Sequence, residues 1–176
     1  LSLRSHSSTL RTAAPISALT LNVRAMKNCA TIHTMEYETS VEIQAHPELV
    51  WRVLMDIVAW PKWTDSVTWL ARVEDKPLAE GSEVQIKQPK LKAAVWTVSA
   101  LVPARSFSWT NSGAGVTTEV DHELVPTASG TTVTLRVRQS GALAGISGFI
   151  GGSATRRSIE EQAAGLLAHC ESELTI

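Results

Sequence analysis

The residue with the most chemical potential is His122. In an extended segment alternate residues share a face, so His122 falls on the same side as Val116, Val120 and Leu124. An imidazole on such an apolar face needs a hydrogen-bond partner. Two uses fit. One is a core histidine bonded to a neighbouring backbone carbonyl or to Thr118. The other is a pocket group that orients a ligand's carbonyl or hydroxyl, or that serves as acid or base. No inward Asp or Glu accompanies His122, and the spacing sets no Ser or Cys nucleophile beside it. It is therefore the sole catalytic candidate, and it has no completed constellation around it. His46, before Pro47, reads as a helix-start residue, and His169 reads as a surface residue.

Other chemistries lack their motifs. There is no GxGxxG after a strand, no Walker-type loop, no HExxH and no paired-cysteine zinc spacing, so neither cofactor nor metal is expected. Gly148-Phe-Ile-Gly-Gly152 is glycine-rich but lacks the lysine of a phosphate loop, and it suits a flexible lid or close packing. The two cysteines, Cys29 and Cys170, are too few for a disulfide framework. They read as reduced thiols, with Cys170 packed as a small apolar side chain.

The chain has 176 residues, the size of one domain, with 44% hydrophobic and 19% charged residues and a net charge of −1. Its charge is uneven. Residues 1–35 hold Arg4, Arg11, Arg24 and Lys27 and no acid, which leaves the rest mildly acidic. That remainder lacks the basic stripe of a nucleic-acid binder, and no run reaches the roughly 18 apolar residues of a membrane span. The Ser/Thr/Ala-rich, acid-free stretch 1–35 predicts a poorly ordered leader. It fits a transit peptide and a true start at Met35 equally well. The domain is expected over 36–176. The location expected is cytoplasmic, or organellar (mitochondrial) if the leader is a transit peptide.

Residues 36–45 alternate, with Tyr37, Thr39, Val41 and Ile43 on one face and Glu36, Glu38, Glu42 and Gln44 on the other, which predicts a half-buried strand. Pro47 opens a helix through Val50, Val53, Leu54 and Ile57. Pro61 is expected to end it, with a second, very short helix after the turn at Trp63. Period two then predicts strands near 66–74, 82–88, 92–102, 105–111, 115–125 and 131–139, joined by short turns as an antiparallel meander. From Ala142 the period returns to 3.6 through Ile159, Ala163, Leu166, Leu167 and Cys170, with the Ser-Ile-Glu-Glu-Gln run near 160 on the wet side. The glycines at 145–152 argue that firm helix starts near Ala154. The expected fold is α+β, a seven-stranded curved antiparallel sheet wrapped around one long C-terminal helix, with two short helices after the first strand.

Ala45-His-Pro-Glu-Leu-Val-Trp-Arg-Val-Leu-Met-Asp-Ile-Val-Ala-Trp-Pro-Lys-Trp63 resembles the opening signature of the START-like superfamily, also called polyketide cyclase/dehydrase-like or SRPBCC proteins. Leu78-Ala-Glu-Gly-Ser82, Gln88-Pro-Lys-Leu91 with Trp96, Phe107-Ser-Trp109, His122 with Leu124-Val-Pro126, and Gly130-Thr-Thr-Val-Thr134 extend the resemblance over about 36–175. The resemblance implies a helix-grip fold with a cavity between sheet and final helix. It implies no single activity, because the family includes lipid carriers, hormone receptors, aromatase/cyclases and other members.

Alternation places Trp69, Val84, Ile86, Trp96, Val98, Phe107, Trp109, Val120, His122 and Leu135 on the inward face, with Phe149 on the helical stripe. These are the expected contacts for a small hydrophobic or amphipathic ligand such as a lipid, polyketide-like aromatic or isoprenoid. Trp51, Trp60 and Trp63 read as packing residues. The opposite face carries Glu119, Asp121, Arg136 and Arg138, which suit cross-strand charge pairs. Three functions remain open at this level. They are a carrier of that ligand, a cyclase or dehydratase using His122, and an interaction module with a filled core.

Overall fold

In the computed structural model, residues 20–24, 33–141, 144 and 152–174 are described. The alternating segments form an antiparallel sheet of β1 (Thr20–Arg24), β2 (His33–Ile43), β3 (Trp69–Arg72), β4 (Glu83–Lys87), β5 (Ala94–Val102), β6 (Ser106–Gly113), β7 (Val116–Pro126) and β8 (Thr131–Gly141). Their spatial order is β1-β2-β8-β7-β6-β5-β4-β3, so β3 to β8 run as the predicted meander. The first long strand, β2, closes against the last, β8, from His33↔Gly141 to Ile43↔Thr131. A register shift between Val98 and Ala100 breaks the β5–β6 ladder, the kind of irregularity that bends a sheet.

The seven expected strands are all present. An eighth, β1, lies within the stretch expected to be a poorly ordered leader, and β2 begins upstream of Glu36. Thr20-Leu-Asn-Val-Arg24 alternates, and it pairs with β2 from Thr20↔Ser40 to Arg24↔Glu36, satisfying backbone groups that β2 would otherwise leave open at the sheet edge.

Helix α1 (Pro47–Met55) stops well before Pro61. At Asp56 the backbone turns out of helical geometry (φ −81°, ψ 63°), and Ile57–Lys62 continue as a 3₁₀ helix that contains Pro61. This tighter turn keeps Ile57 and Trp60 inward, so the apolar spacing that suggested one longer α-helix is shared between two elements.

The long C-terminal helix α2 (Gly152–Glu173) buries Thr155, Ile159, Gln162, Ala163, Leu166 and Cys170. Helix and strands approach closely where glycine permits it. A Cβ on Gly165 would collide with the carbonyl oxygen of Trp63, and one on Gly152 would collide with the Tyr37 hydroxyl. The inward faces of the sheet, α1, the 3₁₀ helix and α2 share one apolar cluster. On the other face, Arg138 meets Asp121 at 2.7 Å and Glu119 at 3.1 Å, while Arg136 reaches Glu38 on β2 at 2.6 Å. These are the anticipated charge pairs, with β2 added as a partner.

Candidate functional site: a cavity between the sheet and the long helix

The sheet and α2 leave a cavity of about 660 Å³ between them. Ile86, Trp96, Trp109, Val120 and Val137 supply the apolar sheet wall, Trp60 and Val67 close one side, and Ile159 faces them from α2. Thr118, Gln139, Thr155 and Gln162 add polar groups to the interior. Charge is confined to Asp65, Lys90, Arg157 and Glu161. Asp65, Lys90 and Arg157 are exposed, and the Arg157 guanidinium lies 2.7 Å from Glu161. Gln88 Nε2 donates to Ser158 Oγ at 3.4 Å, bridging the segment after β4 to α2.

The aromatic wall is braced. Trp60 lies 5.2 Å from Trp109, and Trp96 lies 6.0 Å from Trp109, ring centre to ring centre. Trp60 Nε1 donates to the Leu54 carbonyl at 3.0 Å, so its polar end is satisfied within the core.

His122 lies beneath this wall. It is fully buried, stacked at 4.1 Å and 7° on the Phe107 ring. Its Nε2 is 3.1 Å from Gln162 Nε2, so the neutral ring accepts a hydrogen bond from the amide. Burial lowers the imidazole pKa to about 3. The Phe107 backbone acts weakly the other way, without the geometry of a full hydrogen bond, and Nδ1 is left without a partner. His122 is thus uncharged at neutral pH, does not itself line the cavity, and touches the wall residues Trp60, Trp109 and Gln162. Cys170, deep in the helix packing, has its thiol pushed up to about 12 by desolvation, which makes it a poor nucleophile.

Of the residues expected to face a ligand, Ile86, Trp96, Trp109 and Val120 lie on the cavity wall. Val84, Val98, Phe107, His122 and Leu135 share that inward face and are buried, but they do not line the cavity. Trp69 is a correction. It is 39% exposed, and Leu70 is the buried residue of β3. The expected strand was counted in from Val67, but β3 begins only at Trp69, and a slip of one residue reverses every side chain. Phe149 and most of the glycine-rich run before α2 lie outside the described residues; α2 itself starts at Gly152, two residues before Ala154.

Three wall residues carry roles that sequence reasoning did not give them. Trp60 is a wall residue as well as a packing one. Gln139 shares the inward parity of Val133, Leu135 and Val137. Gln162 belongs to the buried stripe with Ile159 and Leu166, although it read as part of the wet face. The parity of β8 and the i, i+3 spacing on α2 both contained that signal.

Residues 34–174 match the family described as polyketide cyclase / dehydrase and lipid transport. The chain belongs to this family. Among solved structures it is similar to the di-domain ARO/CYC StfQ from the steffimycin biosynthetic pathway (12% identity, TM-score 0.64), over 81% of this chain and 53% of that one. The chain thus spans about half the length of that di-domain protein. It is also similar to the Zhui aromatase/cyclase from Streptomyces sp. R1128 (16% identity, TM-score 0.62, 81% of this chain and 96% of that one). A third likeness is to Ara h 8.0201 (13% identity, TM-score 0.63, 80% and 99%). No curated protein matches the chain. At these identities the structural likenesses show the fold: α+β, a curved antiparallel sheet gripping a long C-terminal helix. Among the described residues, no helix is long and apolar enough to cross a membrane. None of their His, Cys, Asp and Glu side chains form a group of three or more that could hold a metal ion.

Proposed function

We propose that this protein binds and carries a small hydrophobic or amphipathic molecule in the cavity between the sheet and α2. The observation that carries the reading is the cavity itself, about 660 Å³ in volume and walled by Trp60, Trp96, Trp109, Ile86 and Val120. This lies within the roughly 300–1,000 Å³ typical of small-molecule pockets, which are also mostly apolar with a few fixed polar groups. A core without room for a ligand, as an interaction module would have, does not match it. The family's description, which includes lipid transport, supports the same reading.

A cyclase or dehydratase acting through His122 finds less support. The imidazole is fully buried, stacked on Phe107 and bonded to Gln162, and a general base must come within hydrogen-bond reach of the proton it moves. The test is native mass spectrometry and organic extraction of the purified protein, with titration of the uncharged probe N-phenylnaphthylamine. Probe binding, and its displacement by whatever apolar compound co-purifies, is the expected result. A protein that retains no apolar compound and leaves the probe dark contradicts the reading.

A further inference from the structure

The cavity is apolar along its middle and polar at two separate places. On the sheet, Thr118 and Gln139 are direct cross-strand neighbours, and Gln139 Nε2 lies 3.5 Å from Thr118 Oγ1. Both side chains are more than nine-tenths buried, yet they line the cavity. Next along the same strands come Val120 and Val137, then His122 and Leu135. The helix repeats this order. Thr155 comes first, Ile159 follows a turn later, and Gln162 then meets His122.

The two sequences run alongside each other. Gly152, at the start of α2, packs against Tyr37 and Met35, which pair with Val137 and Gln139. The start of α2, and Thr155 with it, therefore lies at the Gln139 end of the cavity, and Gln162 lies at the His122 end.

Thr155 supplies an independent sign that the first place is built to receive something. Its hydroxyl is buried and has no hydrogen-bond partner, an arrangement that ordinarily costs stability. Gln162 spends its amide nitrogen on His122 and still has a carbonyl oxygen to offer. Neither place includes a charged side chain: of the ionic lining residues, Asp65, Lys90 and Arg157 are exposed and Glu161 is paired with Arg157. Four strand residues separate Thr118 from His122, about 13 Å. Seven helix residues separate Thr155 from Gln162, about 10 Å.

We infer that the cavity selects an uncharged, elongated ligand that carries a hydroxyl at the Gln162 end and a hydroxyl or carbonyl at the Thr155 end. One oxygen is held by Thr155, Thr118 and Gln139, the other by Gln162, and the body lies on the Val120–Val137–Ile159 belt. This rests on the binding reading above and adds to it the polarity, charge and length of the ligand.

The probes are biphenyl, its para-phenol, its para,para′-diphenol (whose oxygens lie about the required distance apart) and the para,para′-dicarboxylate. Binding is read by quenching of the wall tryptophans. Each added hydroxyl is expected to tighten binding by roughly three- to tenfold, the size of a net hydrogen bond, and the dicarboxylate is expected to bind more weakly than biphenyl. Thr155→Val should remove the gain from one hydroxyl and Gln162→Leu the gain from the other, each read as the ratio of diphenol to biphenyl affinity within the same variant. Thr155→Val is nearly isosteric and remote from His122, so it decides the matter even if Gln162→Leu does not fold. If biphenyl binds but the hydroxyls bring no gain, or the dicarboxylate binds best, the two-ended selection is wrong while the pocket reading stands. If none of the four binds, both fall together.

Discussion

Gln162 on α2 and His122 on β7 meet ring nitrogen to amide nitrogen at 3.1 Å, and both are buried. This single polar contact ties the long helix to the middle of the sheet behind the cavity wall. Gln88 with Ser158 and Arg52 with Glu173 add polar contacts to α2 at less buried places, while this pair makes its contact in the interior.

Removing the amide leaves the ring nitrogen without a partner in the interior. Gln162→Leu is expected to cost about 1–3 kcal/mol in urea unfolding. In a His122→Phe background the same change should cost clearly less, because there is no imidazole to orphan. Equal costs in the two backgrounds would show that the contact is energetically idle.

The buried imidazole also sets a pH dependence. His122 has its pKa lowered to about 3 in the folded protein, against an ordinary value of 6.5. Between those limits the unfolded chain binds the proton and the folded chain does not, so stability falls as pH drops below 6.5 and the loss levels off near 3. The slope from this one group approaches about 1.4 kcal/mol per pH unit. Urea midpoints of wild type and His122→Phe, compared from pH 7 to pH 4, should converge or cross as pH falls. Parallel curves would mean that His122 titrates normally.

Two tryptophans read alike in the sequence separate in the structure. Trp109 is 4% exposed on the cavity wall, whereas Trp69 is 39% exposed on β3. Trp109→Ala should destabilise the fold by about 3–5 kcal/mol and weaken apolar probe binding. Trp69→Ala should stay within about 0.5 kcal/mol and leave binding unchanged. Comparable effects in calorimetry and probe titration would reverse the assignment of faces on β3.

Gly165 gives a test of sign. In a free helix Ala is favoured over Gly by about 1 kcal/mol. Here the new Cβ would meet the Trp63 carbonyl oxygen, a backbone atom that cannot swing aside. Gly165→Ala is therefore expected to lower the melting temperature. A rise would show that α2 is not pressed against the 3₁₀ turn.

The architecture was readable because β4, β7 and β8 alternate without interruption, so that Val84 and Ile86, or Leu135 and Val137, could only face one way. The failures have local causes. Trp69 was placed by counting through Ser66–Thr68, which are not strand, and α1 was extended because a 3₁₀ turn preserves its apolar spacing through Ile57 and Trp60. The division of the inward set into wall and backing was not legible at all. Phe107 and Trp109 have the same parity, and only the packing of His122, Phe107 and Gln162 decides which of them meets the void. Gln162 was hidden for a related reason. A glutamine beside two glutamates reads as wet until the helix is seen to turn it toward His122.

A ligand held beneath Trp96 and Trp109 must lose its place when that space is filled by a larger side chain. N-phenylnaphthylamine affinity should be measured for wild type, Val120→Trp on the sheet wall and Ile159→Trp on the helix wall, each verified as folded by its cooperative melt. Both tryptophans are expected to lower affinity at least tenfold while the proteins remain folded. Undiminished binding in both variants would place the probe elsewhere and contradict this site.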